Sequence, residues 1–352
     1  MEKIYIVTAG DSFTDSHMPH ITTDMQHTFG GIMDKFNNPK ELCRPDYAFK
    51  YPYYLVYELW KKGVEFEYFN IGKGSAGNHV IVHKYKQKVN ELLQKGVNPK
   101  NIYGTIQLSG LVRSTHPVYE IEFDLPNVDG AEWDYINNMN PTVSNYKDVL
   151  EAHILNLENI IQWNKDNNIT HFNMFFGWAI FYEDELVKYE LKERFELIDK
   201  NYFTYFDYKE RIDVMKYNCA GVKQVLKTIF GFKEEYLIQS GKYGGMTEFV
   251  ADKTDDSQKY YISHYDSHLN TYGNYKWYIE YFRKLYVKWG VLTENNLIEK
   301  NEKLNKILNI IFKVNTDCFI DSYQYTQKDN DNNELKLKIK EQKYNKFFKN
   351  LL

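Results

Sequence analysis

The chain has 352 residues, a formal net charge of −4 at pH 7 and 43% hydrophobic residues. A chain of this length and apolar content can bury a sizeable core, which argues against a largely disordered protein. Its 44 basic and 48 acidic residues are interspersed, which argues against a nucleic-acid partner. Three cysteines without a CxxC motif suggest neither a disulfide framework nor a thiolate zinc site. We also predict no metal and no cofactor.

Five short apolar runs predict the strands of a buried parallel sheet, because they are continuous and several end at a glycine. They lie at residues 3–10, 64–72, 102–110, 171–177 and, more weakly, 236–240. Amphipathic helical patterns separate them and begin at Tyr51, Asn78 and Asn145, the last ending at Asn168. The alternation predicts an α/β fold with both faces of the sheet covered and a site at the carboxyl ends of the strands.

Two long segments interrupt this alternation, at residues 114–145 and 178–216. Insertions of this kind lie over the crevice of such folds, so they either build a substrate wall or serve as decoration or a dimer contact. We predict one α/β domain over residues 1–290, followed by a helical C-terminal extension over 291–352. The extension carries an apolar helical stripe at Leu297, Leu304, Leu308 and Ile311.

The sequence contains no apolar run long enough to cross a bilayer. Its amino terminus leads directly into the first strand rather than into a signal peptide. We therefore expect a cytoplasmic protein without a membrane span, and the oligomeric state stays open.

Ser12 follows the first strand within the stretch Gly10-Asp11-Ser12. A serine there faces the crevice, although Gly-Asp-Ser alone is equally typical of a turn. A nucleophilic serine needs a histidine base, and that base needs an orienting carboxylate. His268 is the favoured base because Asp266 precedes it by two residues and a helical pattern follows, with His264 as a neighbouring alternative.

Two motifs, GDSFTD at residues 10–15 and DSHLN at 266–270, resemble those of the SGNH or GDSL-type serine hydrolases. The resemblance extends from about Lys3 to Val287. It implies a flavodoxin-like, three-layer α/β/α fold with a five-stranded parallel sheet. It also implies that Ser12 is the nucleophile, His268 the general base and acid, and Asp266 the orienting carboxylate. The Asp-x-His spacing is shorter than the family's common Asp-x-x-His, and a Ser–His dyad is the alternative.

The oxyanion donors implied by the resemblance match this chain only in part. The stretch NIGKGSAGN after the second strand supplies Gly74, with Ser75 as the adjacent alternative. The family's Gly-x-Asn-Asp is replaced by QLSGLVRS, in which Ser109 falls near the position of that glycine. Arg113 is a candidate for bringing positive charge to the substrate, and a surface ion pair is its alternative. One oxyanion donor of the family therefore has no counterpart here.

The resemblance implies a serine esterase that removes a small acyl group, with acetyl favoured, from an alcohol. The expected substrate is a small-molecule or glycan ester, and carbohydrate is preferred over lipid. Two alternatives stay open: an O-acyltransferase acting on a glycan, and a binding protein that keeps the fold without the activity.

Overall fold

The computed structural model describes the chain in separate pieces. The main ones are residues 2–12, 50–74, 76–109, 143–177 and 268–300. Shorter ones are 14, 20–22, 180–182, 203–210, 213–221, 226–227, 231–232, 234–238, 244–246, 249, 260 and a few positions beyond 300. Most of the first predicted insertion and most of the C-terminal extension lie outside the described residues.

A parallel sheet of four strands forms the centre of the fold. With a short antiparallel edge strand, the sheet consists of β1 (Ile4–Ala9), β2 (His20–Thr22), β3 (Phe66–Asn70), β4 (Ile102–Leu108) and β5 (His171–Phe176). The sheet order is β2-β3-β1-β4-β5, in which β2 is a short antiparallel edge strand and the other four run parallel. The positions of the first four predicted strands are confirmed.

The weaker fifth run is represented by one isolated bridge at the outer edge of β5, and a second bridge lies beyond that run. Leu237 forms a parallel bridge with Met174, and Gly245 forms one with Phe176. The Ile238 N–H donates to the Met174 carbonyl at 2.7 Å. The described residues thus establish four parallel strands, and a five-stranded flavodoxin-like sheet stays a prediction.

Three long helices occupy the places predicted for them: α1 (Tyr51–Lys62), α2 (Asn78–Gln94) and α3 (Val143–Asp166). A proline in the first turn suits the start of α1, because an N–H there has no partner within the helix. Gly63 ends α1 in the left-handed conformation, with φ 69°, and its N–H donates to the Trp60 carbonyl at 3.0 Å. Asn168, with φ 57°, follows the end of α3, as predicted.

Both faces of the sheet are covered, because alternate side chains of β1 enter different clusters. Ile4 and Ile6 pack with α1 and with a later helical segment that includes Trp277. Val7 and Ala9 belong to a second cluster with apolar side chains of α2 and α3. Helices on both faces of a parallel sheet define the α/β class, and the predicted fold class is confirmed at that level.

The second predicted insertion contains a small antiparallel sheet that the sequence did not indicate. Its strands are β6 (Ile180–Tyr182), β7 (Phe203–Glu210) and β8 (Asp213–Gly221), in the order β6-β8-β7. Strands β7 and β8 form a hairpin in which Glu210 pairs with Asp213. Strand β8 continues to Gly221, past the predicted end of the insertion at residue 216.

A helical segment follows His268, where the sequence predicts one. It consists of α4 (Thr271–Trp277), a π-helical turn (Tyr278–Phe282) and α5 (Arg283–Lys288). The Arg283 guanidinium forms an ion pair with the Glu58 carboxylate of α1, with Nε 2.9 Å from Oε2. Both side chains are buried, so this pair fastens the segment to α1 within the core.

The described start of the C-terminal extension packs against the domain. Val291, Leu292 and Ile298 are buried in the same cluster as α1. Residues 293–300 form bends and turns rather than the start of the predicted helix, and helical positions are described from 302 onward. Within the described residues, none of the helices combines the length and apolar character needed to cross a membrane.

Candidate active site

Ser12 and His268 are in direct contact although 256 residues separate them in the chain. The Ser12 Oγ lies 2.6 Å from the His268 Nε2. This is the distance of a strong hydrogen bond, in which the hydroxyl donates to Nε2 when that nitrogen carries no proton. The histidine is then placed to remove the serine proton, which is the geometry that a Ser–His nucleophile requires. Both residues are partly exposed, so a substrate can approach them.

The turn that carries Ser12 begins directly after β1 and is tightly closed. The Thr14 N–H donates to the Asp11 carbonyl at 3.0 Å. A Cβ atom at Gly10 would lie 2.4 Å from the Thr14 Oγ1 and 2.6 Å from the Gln107 Oε1. Because no side chain fits there, glycine at position 10 allows the turn to close beneath Ser12.

The loop after β3 lies against this turn. The Lys73 N–H donates to the Gly10 carbonyl at 2.8 Å, and the Asn70 Nδ2 donates to the Thr14 carbonyl at 2.9 Å. Gly74, the predicted oxyanion donor, follows Lys73 in a turn. The structure therefore brings the segment of Gly74 beside the segment of Ser12, at the carboxyl edge of the sheet.

Lys50 is a further component of the candidate site, for which the sequence gives no indication. Its Nζ donates to the Ser12 carbonyl at 2.5 Å, from a position immediately before α1. The lysine thus holds the backbone of the candidate nucleophile and brings a positive charge to it. The sequence offers no signal for this contact, because a single lysine before a helix is common.

The His268 side chain is positioned by the start of α4. Asn270 caps this helix with a side chain that accepts the Gly273 N–H at 2.8 Å. The Asn270 N–H in turn donates to the Tyr260 carbonyl at 2.8 Å. The Asn274 Nδ2 donates to the Leu269 carbonyl at 2.7 Å. Leu269, Asn270 and Thr271 are buried, and these hydrogen bonds hold the backbone next to His268 in place.

Ser109 is held by Asn78 at the carboxyl end of β4. The Ser109 N–H donates to the Asn78 Oδ1 at 2.7 Å, and the Asn78 Nδ2 donates to the Ser109 carbonyl at 3.2 Å. The backbone of Ser109 is therefore engaged by this amide, whereas its buried Oγ has no hydrogen-bond partner among the described residues. Because Ser109 is fully buried and its N–H is bonded to Asn78, its role in substrate binding stays a prediction.

Three predicted site residues lie outside the described residues: Asp266, Ser75 and Arg113. Their roles stay predictions, as does the choice between a triad and a Ser–His dyad. In the described part of the chain, no group of three or more His, Cys, Asp and Glu residues could hold a metal ion.

Comparison with protein-family models, with curated proteins and with solved structures finds no match for this chain. The interpretation of the site therefore depends on its own residues and on the motifs quoted above.

Proposed function

We propose that the protein is a serine esterase of the SGNH type, which removes a small acyl group, with acetyl favoured, from an alcohol. The observation that carries the proposal is the 2.6 Å contact between the Ser12 Oγ and the His268 Nε2. The position of Ser12 directly after the first parallel strand supports it further, because ligands bind at the carboxyl ends of such strands.

In the proposed reaction, His268 takes the proton of Ser12 while Oγ attacks the ester carbonyl carbon. The bond between that carbon and the alcohol oxygen then breaks, and the imidazolium returns its proton to the departing alcohol. Backbone N–H groups of Ser12 and Gly74 are the proposed donors to the tetrahedral oxyanion. Water, deprotonated by the same histidine, cleaves the acyl-enzyme and releases the acid and free Ser12.

The proposed alcohol is a carbohydrate hydroxyl, so that the substrate class is a small-molecule or glycan ester. Replacement of water by a glycan hydroxyl in the second step gives the O-acyltransferase, which shares every residue of the first step. Product analysis after incubation with an aryl acetate and a candidate glycan separates the two. Free acetate is expected, and acetylated glycan in its place would assign the transferase.

A serine-directed fluorophosphonate tests the nucleophile. We expect it to label the folded protein at Ser12, and we expect Ser12→Ala and His268→Ala to abolish the label. Ser144→Ala, in α3, and His83→Ala, at an exposed position of α2, are matched controls that should label at the unchanged rate. Absence of label on the folded, unmodified chain would refute the proposed function.

A further inference from the structure

We propose that Gln107 is a positioning residue, which sets the orientation of the Ser12 turn through its side-chain amide. This inference depends on the proposed role of Ser12 as nucleophile. The Gln107 Oε1 accepts the Asp11 N–H at 2.9 Å and the Thr14 hydroxyl at 3.1 Å. One amide oxygen thus holds the residue before Ser12 and the residue two positions after it.

The amide is held in one orientation. Its Nε2 donates to the Leu108 carbonyl at 2.7 Å, and the Asp11 N–H requires an oxygen opposite it. If the amide were flipped, its Nε2 would face the Asp11 N–H, so that two donors met, and its Oε1 would face the Leu108 carbonyl, so that two acceptors met. Gln107, Asp11 and Thr14 are all fully buried, so water does not replace these bonds.

The polarity of the neighbouring hydrogen bonds follows from this orientation. Because the Gln107 Oε1 only accepts, the Thr14 hydroxyl must donate to it. Thr14 therefore accepts from the Tyr51 hydroxyl, whose oxygen lies 2.8 Å away. Burial raises the pKa of the Tyr51 phenol well above its usual range, which keeps this donor protonated. A chain of donors runs from Tyr51 through Thr14 and ends at the Gln107 oxygen.

The position of Gln107 on a central strand makes it a rigid support. Residues 102 to 106 of β4 pair with β1, and Ala9 lies opposite Ile106. This register places Gln107 beside Gly10, where any Cβ would lie 2.6 Å from the amide oxygen. The parallel pairing of β1 with β4 therefore places the Gln107 amide against the turn of Ser12. This position depends on the sheet register and not on the conformation of a loop.

The first test is Gln107→Met, which keeps the length of the side chain but cannot accept a hydrogen bond. We expect the rate of fluorophosphonate labelling at Ser12, and kcat for an aryl acetate, to fall about 10- to 100-fold, since small misplacements of reacting groups have effects of that size. KM should change much less, because the amide does not touch the substrate. Gln162→Met is the matched control, since this glutamine is exposed on α3 and bonds to Asp166.

The second test is Gln107→Glu, which separates positioning from general packing. The neutral carboxyl reproduces the amide, because its carbonyl accepts from Asp11 and its hydroxyl donates to the Leu108 carbonyl. The ionised carboxylate opposes that carbonyl with a second acceptor, and burial raises the pKa of the introduced group. Asp11 and Tyr51 are titratable residues of the same hydrogen-bonded cluster, and His268 adjoins it through Ser12.

The variant is therefore active below the pKa of the introduced carboxyl and loses activity as the pH rises through it. We expect the ratio of variant to unmodified labelling rates to fall by about tenfold or more between pH 5 and pH 8. Circular dichroism at each pH is the control that checks whether both proteins are folded when the rates are measured.

The outcomes separate the two proposals. If the unmodified chain labels and Gln107→Met labels equally fast, the positioning role is wrong and the nucleophile stands. If the folded, unmodified chain does not label at all, the proposed function and this inference both fail. Should Gln107→Met not fold, a labelling ratio for Gln107→Glu that is flat with pH overturns the inference.

Discussion

At the scale of single residues, Lys50 is the group whose contact with the candidate nucleophile is hardest to foresee. Its ammonium donates to the Ser12 carbonyl at 2.5 Å, and hydrogen bonds with a charged donor are stronger than neutral ones. The contact restrains the backbone carbonyl of Ser12, whereas the hydroxyl contacts His268. We therefore expect Lys50 to stabilise the backbone conformation of Ser12.

We expect Lys50→Met to slow fluorophosphonate labelling of Ser12 by about 3- to 30-fold, because one charge-assisted hydrogen bond to the turn is lost. Lys62→Met is the matched control, since Lys62 also donates to a backbone carbonyl, that of Val291, at 2.5 Å. The control should affect unfolding and should slow the labelling by much less than Lys50→Met does, because Lys62 does not touch the turn of Ser12. Equal labelling rates for the two variants would show that Lys50 does not support Ser12.

At the scale of secondary-structure elements, the start of α4 determines where His268 lies. Gly273 is in close contact with another part of the chain, because a Cβ there would lie 2.4 Å from the Tyr260 carbonyl oxygen. That oxygen already accepts the Asn270 N–H at 2.8 Å, so it cannot retreat without loss of the bond. Glycine at this position lets the helix and the segment of Tyr260 pack together.

Gly273→Ala is expected to displace the start of α4 and to lower the free energy of unfolding by about 1–3 kcal/mol, as overpacking of a tight contact does. His268 moves with the helix, so labelling of Ser12 should slow as well. Thermal unfolding and labelling kinetics measure the two effects. Lys284→Ala, at an exposed position of α5, is the control and should change neither. A variant with unchanged stability and unchanged labelling would contradict this account of how His268 is positioned.

Site residues can be predicted from the sequence when the pattern that indicates them lies in the neighbouring residues. Ser12 lies at the end of a continuous apolar strand, and His268 precedes a recognisable helix start, so both were identified. Gln107 and Asn78 act through hydrogen bonds to residues 96 and 31 positions away, and nothing in their own stretches indicates those partners. Such contacts depend on which strands and helices become neighbours, which is settled only by the folded chain.

At the scale of the whole molecule, the same distinction applies to the fold. Strands β1, β4 and β5 are buried at nearly every position, on both faces of the sheet, and such strands are mostly apolar, which makes them recognisable in the sequence. Strand β3 instead alternates buried and half-buried positions. The antiparallel strands β6, β7 and β8 were not predicted. The stretch FTYFDYKE of β7 mixes polar and aromatic residues and lies within what we interpreted as an insertion.

A buried polar cluster also holds helices of the fold together, and the hydrophobic periodicity of the sequence does not indicate it. The Glu58 carboxylate accepts from the Arg283 Nε at 2.9 Å, from the Tyr278 hydroxyl at 2.6 Å and from the Leu297 N–H at 3.0 Å. The Arg283 guanidinium also donates to the Thr293 carbonyl at 2.6 Å. A single carboxylate therefore joins α1, the π-helical turn, α5 and the segment that follows them.

Glu58→Gln is expected to lower the free energy of unfolding by about 3–5 kcal/mol, because it leaves the Arg283 charge buried without a counter-charge. The double variant Glu58→Met with Arg283→Met should recover part of this loss, since it removes both buried charges. Urea denaturation followed by circular dichroism gives the three free energies. Glu67→Gln is the matched control: it breaks the pair with Lys3, whose atoms are 2.6 Å apart, but both side chains are partly exposed.

The control should cost less than about 1 kcal/mol, as partly solvated pairs do. A loss for Glu58→Gln no larger than that of the control would show that the cluster is not what holds the helical segment on α1. Because α1 begins beside Lys50 and the helical segment begins beside His268, loosening of their junction should also reach Ser12. We therefore expect Glu58→Gln to slow fluorophosphonate labelling under conditions in which the variant remains folded, whereas Glu67→Gln should label at the unmodified rate.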